Sequence, residues 1–257
     1  MPVSGPASAR LRRGPERRVT VRGMTRERDL VLANLTGIRE GIARACEHSG
    51  RDPASVRLVA AAKAVEPEAI AWVRDAGVGD VGENYVAELR AKRRALTGVR
   101  WHFIGTLQRG SAHHVAELAD VVETVVPGNA ARRLARRVEE RGRILPVLME
   151  VDLTGERTGV APERVVEAAH EIDATPGLAL EGLMTLPPIP ADAEDSRPSF
   201  QQLRELLGEV AQRHPQAREL SMGMSLDYKV AVEEGATMVR IGTALFGARP
   251  PLDQGRT

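Results

Sequence analysis

The sequence predicts a single (β/α)8 barrel of the α/β class, with an extra helix at its N-terminal end. Eight short apolar segments recur along the chain, a helix-like segment separates each from the next, and 257 residues is an ordinary length for one barrel domain. Strands that alternate with helices favour a parallel sheet, and eight of them favour its closure. An open doubly wound sheet is the alternative. It would carry a glycine-rich turn after the first strand, where this chain has no glycine between Ala61 and Ala64.

The spacing of apolar and turn residues places the elements. A first helix is predicted over residues 25–48, because five apolar residues from Val31 to Ala45 recur at spacings of three and four and so share one face. The predicted strands are Val56–Ala62, Asp80–Gly82, Val99–Ile104, Val121–Val126, Leu145–Leu153, Leu178–Met184, Glu219–Met222 and Thr237–Ile241. The predicted crossover helices are Ala64–Ala76, Tyr85–Leu96, Gly110–Ala119, Asn129–Arg141, 161–173, 198–213 and Leu226–Glu234. The proline-rich segment 186–198 is predicted to be a mobile loop or lid.

Residues 1–23 differ from the rest of the chain. They carry six arginines and one glutamate, with scattered Gly, Pro and Ser and no apolar periodicity. A secretory signal would need an apolar stretch of about 7–15 residues after the charges, and none follows. We therefore expect a disordered basic tail, or a misassigned start whose true position is Met24, followed by one domain over residues 24–257. A transit peptide is the remaining alternative.

The overall composition argues against several classes of partner. Lysine and arginine total 36 and aspartate and glutamate total 35, a net charge of +1. Nucleic-acid-binding proteins usually show a clear basic excess, so no nucleic acid partner is expected. No run of 18 apolar residues exists, so we expect no membrane span. The single cysteine, Cys46, cannot form an internal disulfide, which fits a cytoplasmic protein.

Lysines are scarce in this chain, which narrows the search for an amine nucleophile. There are three, Lys63, Lys92 and Lys229, beside 33 arginines. Lys63 directly follows the first apolar strand and so would enter the mouth of the barrel, where chemistry is usually located. Desolvation there lowers the pKa of an amine and favours the nucleophilic neutral form. The alternative is a lysine that extends to solvent. Lys92 and Lys229 are expected on solvated helix faces.

Small residues follow the last two strands, where barrels often bind phosphate. Ser221, Gly223, Ser225, Gly242 and Thr243 supply the hydroxyls and close backbone approach that such a site needs, although ordinary turns have the same composition.

Three polar features lie elsewhere in the predicted elements. Arg240 is a charge inside an apolar strand and requires either a ligand or a buried partner such as Glu83 or Asp152. His102 is expected to be a hydrogen-bonded core histidine, and the adjacent His113 and His114 have no metal-ligand pattern around them. The remaining feature is a group of arginines expected to form a solvated face on one helix. Its members are Arg132, Arg133, Arg136 and Arg137.

These residues resemble the pyridoxal phosphate homeostasis protein family over about residues 26–249. The matching stretches are the apolar run into Lys63, Gly-Glu-Asn-Tyr at 82–85, Trp-His-Phe-Ile-Gly at 101–105, Glu-Gly-Leu-Met at 181–184, Leu-Ser-Met-Gly-Met-Ser at 220–225 and Met-Val-Arg-Ile-Gly-Thr-Ala-Leu-Phe-Gly-Ala-Arg at 238–249. The chain departs from the family at Ala62 and Ala64, where Ser and Thr are common, and at Thr106 and Arg109–Ser111.

The resemblance implies a barrel similar to the N-terminal domain of alanine racemase and a cofactor, pyridoxal 5'-phosphate (PLP), bound as a Schiff base to Lys63. It also implies phosphate contacts from Ser225, Gly242 and Thr243, Arg240 near the pyridine nitrogen, and Asn84 and Met224 lining the pocket. An arginine would donate to an unprotonated ring nitrogen, which leaves the ring a weak electron sink.

Three functions remain after this comparison of motifs. The favoured one is a non-catalytic, cytoplasmic carrier or regulator of PLP, monomeric and with apo PLP-dependent enzymes as partners. The second is a PLP-dependent amino-acid racemase or decarboxylase, although such relatives add a β-rich second domain that does not follow here. The third is a barrel for another phosphorylated ligand, with Lys63 as an electrostatic clamp.

Overall fold

The computed structural model describes residues 21–248, which form a closed barrel of eight parallel strands, each paired with the next and the last with the first. The predicted barrel is therefore confirmed. The strands are β1 (Arg57–Ala61), β2 (Asp80–Glu83), β3 (Arg100–Phe103), β4 (Val121–Val125), β5 (Leu145–Val151), β6 (Leu178–Thr185), β7 (Glu219–Ser221) and β8 (Met238–Ile241). Each lies within two residues of its predicted bounds.

Helices surround the barrel. They are α1 (Val21–His48), α2 (Pro67–Asp75), α3 (Val86–Ala95), α4 (Ala112–Leu118), α5 (Asn129–Glu139), α6 (Val165–Asp173), α7 (Arg197–Ala211), α8 (Tyr228–Glu233) and α9 (Thr243–Phe246). Helix α1 packs its apolar face on α2, α8 and α9, with Val31, Leu35 and Ile38 buried. Of the predicted basic tail, residues 1–20 lie outside the described residues.

Several segments differ from the sequence prediction. Helix α2 begins at Pro67 rather than Ala64, because the residues after Lys63 form a turn in which Ala64 has a φ of +56°. The predicted loop 186–198 contains a 3-10 turn at Ala193–Ser196, closed by a capping box from Asp192, and α7 begins directly after it. The sequence prediction also missed the short helix α9.

The barrel has an interior layer distinct from the core between strands and helices. Val59, Leu148, Met184 and Met238 form a small apolar cluster of their own. Because β1 and β5 lie on opposite sides of the barrel, their side chains can meet only inside it. Above and beside this cluster the interior is polar, and that part of the barrel contains the candidate site.

Candidate functional site

The fold brings the predicted site residues to one end of the barrel. Lys63 follows β1 by two residues, Asn84 directly follows β2, and Gly242 directly follows β8. The strands are in register, with Val59 opposite Arg240 and Ala61 opposite Gly82. The carboxyl ends of β1, β2, β7 and β8 are therefore neighbours, and side chains from four separate motifs share the barrel mouth.

The turn that carries Lys63 is fixed from both sides. The Ala62 N–H donates to the Gly82 carbonyl (2.9 Å), and the Ala64 N–H donates to Glu88 Oε2 (2.8 Å). Lys92 Nζ donates to the Ala62 carbonyl (2.7 Å) and to Glu88 (2.8 Å). These contacts hold the peptide groups flanking Lys63 and support the left-handed conformation of Ala64, which a non-glycine residue adopts only at a cost.

The expectation that Lys92 lies on a solvated face is wrong. Its side chain is 7% exposed, and it forms an ion pair with the fully buried carboxylate of Glu83. The run of charged residues around Lys92 in α3 suggested a solvent-exposed helix face. The ion pair of Lys92 with Glu88, four residues away, instead faces β1 and β2. Burial raises the pKa of Glu83, and Lys92 only partly opposes this effect. Burial also acts on Glu88, but hydrogen bonds from Lys92 and Ala64 outweigh it and lower the pKa of Glu88.

Lys63 itself is half-buried, and its Nζ lies 5.2 Å from the centroid of the Tyr85 ring. Tyr85 is exposed. The amine therefore lies at the opening of the barrel beside an aromatic face. Lys229 is exposed on α8, as predicted.

Arg240 is buried inside the barrel with partners other than those proposed from the sequence. Its guanidinium donates to Ser221 Oγ (2.5 Å) and to the Thr185 carbonyl (2.8 Å), and it lies 3.8 Å from Glu123. The two suggested acids, Glu83 and Asp152, have different partners, so that pairing is wrong. Burial lowers the pKa of Arg240 and the carboxylate of Glu123 opposes the change. A guanidinium has five donors, so donors remain for a ligand.

A buried polar network extends from Arg240 through the barrel. Glu123 accepts from Ser221 Oγ (2.5 Å) and contacts His102 Nδ1 (2.7 Å). His102 Nε2 contacts Asp80 (2.8 Å). Burial lowers the pKa of His102, but its two carboxylate partners outweigh this and raise it. His102 is thus the satisfied core histidine that was predicted. Glu123 was missed, although an acid within the apolar strand 121–126 was a usable signal.

The two loops predicted to bind phosphate are in direct contact. Ser225 Oγ accepts a hydrogen bond from the Ala244 N–H (3.1 Å), which joins the loop after β7 to the first turn of α9. Gly223 has a φ of +88°, and a Cβ added there would lie 2.5 Å from the Ala231 Cβ, so this turn requires glycine. The first N–H groups of a helix have no intrahelical partner and are suited to an anion.

Together these groups define the kind of ligand that fits. The amine at the mouth suits a carbonyl, and the buried guanidinium with free donors suits a ring atom that accepts a hydrogen bond. The cup of Ser225, Gly242 and Thr243 suits a phosphate. Met224 is half-buried beside the cup, its N–H donating to Asp227 (2.7 Å), and Asn84 is half-buried beside the Lys63 turn.

The predicted solvated face of α5 is only partly exposed, because Arg133 is half-buried and its Nε has no hydrogen-bond partner among residues 21–248. In the arginine group of α5, Arg136 and Arg137 share the carboxylate of Glu140, and both are exposed. Within residues 21–248, no group of three or more His, Cys, Asp or Glu side chains could hold a metal ion. No helix in the same range is long and apolar enough to span a membrane.

Comparison with known proteins gives matches along most of the chain. Residues 33–250 match the family described as "Alanine racemase, N-terminal domain". The "Pyridoxal phosphate homeostasis protein" of Aquifex aeolicus (strain VF5) is 40% identical over 220 residues, covering 84% of this chain and 96% of that protein. The structure of PipY from Synechococcus elongatus PCC7942 with PLP bound is 33% identical, with a TM-score of 0.71, covering 80% of this chain and 100% of PipY.

A more distant similarity concerns the fold alone. Alanine racemase from Corynebacterium glutamicum is 17% identical with a TM-score of 0.67, covering 90% of this chain but 64% of the racemase.

Proposed function

This chain belongs to the pyridoxal phosphate homeostasis protein family, and from that premise we propose that it takes part in intracellular PLP homeostasis, holding PLP as a Schiff base on Lys63. The observation that carries this proposal is the Lys63 turn, fixed by α3 at the same end of the barrel as buried Arg240 and the joined loops after β7 and β8. An amine, a guanidinium and a phosphate cup match the three functional parts of PLP.

Each predicted residue has a role in this proposal. Ser225, Gly242 and Thr243 bind the phosphate through hydroxyl and backbone N–H groups. Arg240 donates a hydrogen bond to the ring nitrogen. The remaining pocket residues, Asn84 and Met224, bound the ring at its edges.

The same arrangement favours holding over turnover. PLP supplies an electron sink that is strongest when its ring nitrogen is protonated. Arg240 stays charged beside Glu123 and offers only donors, so it keeps that nitrogen unprotonated. We therefore propose a carrier or regulator without robust catalytic activity, acting as a cytoplasmic monomer and exchanging PLP with apo PLP-dependent enzymes, with neither nucleic acid nor membrane as a partner.

One observation favours a second candidate, a PLP-dependent racemase or decarboxylase. The Tyr85 ring lies near Lys63 Nζ and its hydroxyl could act as an acid or base. The other tyrosine, Tyr228, is buried beneath α1 and is too remote from the mouth for this role. An enzyme should racemise or decarboxylate amino acids far faster than free PLP does, whereas a carrier should not exceed that rate.

The test of PLP attachment is spectroscopic and chemical. The purified protein should be yellow, and borohydride reduction followed by peptide mapping should place a pyridoxyl phosphate adduct on Lys63. Lys63→Ala should abolish the visible band, whereas Lys229→Ala, which removes an exposed lysine, should keep it. A protein that takes up no added PLP, or an adduct confined to Lys92 or Lys229, contradicts the proposal.

A further inference from the structure

Glu150, in the carboxyl-terminal half of β5, is a largely buried residue whose carboxylate has no partner among residues 21–248. The residue is 8% exposed, and its side chain makes no hydrogen bond or ion pair with any residue from 21 to 248. Buried carboxylates in proteins are almost always paired or hydrogen-bonded, because desolvating an unpaired charge is costly. Glu150 therefore differs from Glu83 and Glu123, which have cationic or hydrogen-bonding partners inside the same barrel.

Glu150 lines a cavity at the barrel mouth whose walls combine polar and apolar residues. The cavity is about 160 Å³ and lies where β3, β4 and β5 end. Thr106 and Thr158 contribute exposed hydroxyls at its rim, and Asn129 lies at the start of α5 beside it. A space of this size admits a small organic molecule or several waters.

The environment of Glu150 brings the pKa of its carboxyl group close to neutral pH. Burial raises the pKa of Glu150 to about 7, while Arg240 on β8 and Arg157 in the loop after β5 oppose the rise and Asp152 adds to it. Glu150 would thus change its charge in the neutral pH range. A bound cation with hydrogen-bond donors would stabilise the ionised form and satisfy both carboxylate oxygens.

We propose that Glu150 and this cavity form a binding site for the ammonium group of a small primary amine. An ammonium supplies a unit charge and three donors in a volume that the cavity accommodates. A metal ion is a poorer occupant, because the described residues provide no cluster of three metal-ligating side chains. An anion would meet the carboxylate of Glu150 at the centre of the site.

The position of the site gives this binding a use, and that part of the inference rests on the proposed function. A primary amine at the mouth is the class of ligand that exchanges with a lysine Schiff base. If PLP were held on Lys63, its carbonyl carbon would be the atom that such an amine could reach, and Lys63 would be the amine that it displaces. Glu150 would hold the ammonium in place and accept its proton in transit.

The binding claim is tested through the carboxyl group itself. The 13C carboxyl resonance of Glu150, assigned by its loss in Glu150→Gln, is titrated with and without ethylammonium chloride, with sodium chloride at equal ionic strength as the reference. We expect the amine to lower the titration midpoint of Glu150 by about one pH unit or more. The exposed Glu156, in the loop after β5, serves as the control, and its midpoint should not move beyond the sodium chloride reference.

A midpoint for Glu150 that is unchanged by the amine, or that sodium chloride shifts equally, overturns the inference. Calorimetry adds a second measurement, in which ethylammonium should bind the native protein and Glu156→Gln with equal affinity but Glu150→Gln at least tenfold more weakly. Equal affinity in all three proteins also overturns it. Failure of the proposed function is distinguishable, since a protein without a Lys63 adduct could still show the shift at Glu150.

Discussion

Removing the Lys92 ammonium should strongly destabilise the protein, because the charge lies in the buried support of the Lys63 turn. In Lys92→Met the aliphatic stem remains and packs as before, but Glu83, fully buried, loses its cationic partner. Breaking a buried ion pair by removing one partner costs about 3–5 kcal/mol, because the other charge stays buried. The Ala62 carbonyl also loses its donor from Lys92, which adds about 1–3 kcal/mol if no water replaces it.

The loss of stability in Lys92→Met should depend on pH, and the pKa of Glu83 sets the direction of that dependence. Burial already raises the pKa of Glu83 above its ordinary value of 4.5 in the folded protein. A carboxyl with a raised folded pKa destabilises the fold at pH values above the unfolded pKa and costs nothing well below it. Removing Lys92 raises this pKa further. The deficit of Lys92→Met relative to the native protein should therefore be large at pH 7 and shrink towards pH 4.5.

Urea unfolding followed by circular dichroism at pH 7 and pH 5 measures both effects. The double variant Lys92→Met with Glu83→Gln should recover more than half of the loss, because no buried charge is left uncompensated. Lys229→Met, an exposed lysine, is the control and should change the free energy of unfolding by less than about 0.5 kcal/mol. A loss below about 1 kcal/mol in Lys92→Met, or a double variant no more stable than the single one, would refute the reasoning.

Three further changes test the site and its surroundings. Arg240→Gln should weaken PLP retention and lower the free energy of unfolding by about 3 kcal/mol or more, measured by dialysis and urea unfolding, because Glu123 loses its nearby cation. Gly223→Ala should cost about 1–3 kcal/mol in thermal or urea unfolding, since alanine would be strained at a φ of +88° and would crowd Ala231. The raised pKa of His102 in the folded protein contributes stability that is complete below the ordinary pKa of 6.5 and is lost as the pH rises through the folded pKa. This decline in the free energy of unfolding should be absent in His102→Gln. A native protein whose stability is flat above pH 6.5 would contradict the assignment.

The barrel could be predicted because its determinants are local and repeated. Apolar runs of strand length, each followed by an amphipathic helix, place all eight strands within two residues. Turn residues were less informative. Helix α9, four residues long, has no amphipathic period to detect, although its first turn contacts Ser225 and so forms part of the candidate site.

The sequence indicated residues that the fold brings to one end of the barrel, but it did not indicate the contacts that support them. Lys63 and Arg240 are unusual where they stand in the sequence, a lysine at a strand end and a charge in an apolar strand. Lys92 lies in Arg-Ala-Lys-Arg-Arg, and nothing in that pattern separates the one buried cation from its more exposed neighbours. Glu150 likewise resembles an ordinary strand-end acid, and only the closed barrel reveals that its side chain makes no hydrogen bond or ion pair with the described residues 21–248.

Two sets of buried contacts, one around Lys92 and one around Arg240, support neighbouring strands and together favour a rigid pocket. Lys92 holds the turn after β1 through the Ala62 carbonyl, and Glu123 with Ser221 holds Arg240 in β8, opposite Val59 of β1. Each set of contacts buries charged groups inside the barrel, and the surrounding hydrogen bonds offset the cost of burying those charges. A ligand bound by Lys63 and Arg240 would thus contact two rigid points that cannot move independently. Such rigidity suits retention of a cofactor, whereas exchange would depend on groups at the open mouth, where Tyr85 is exposed beside Lys63.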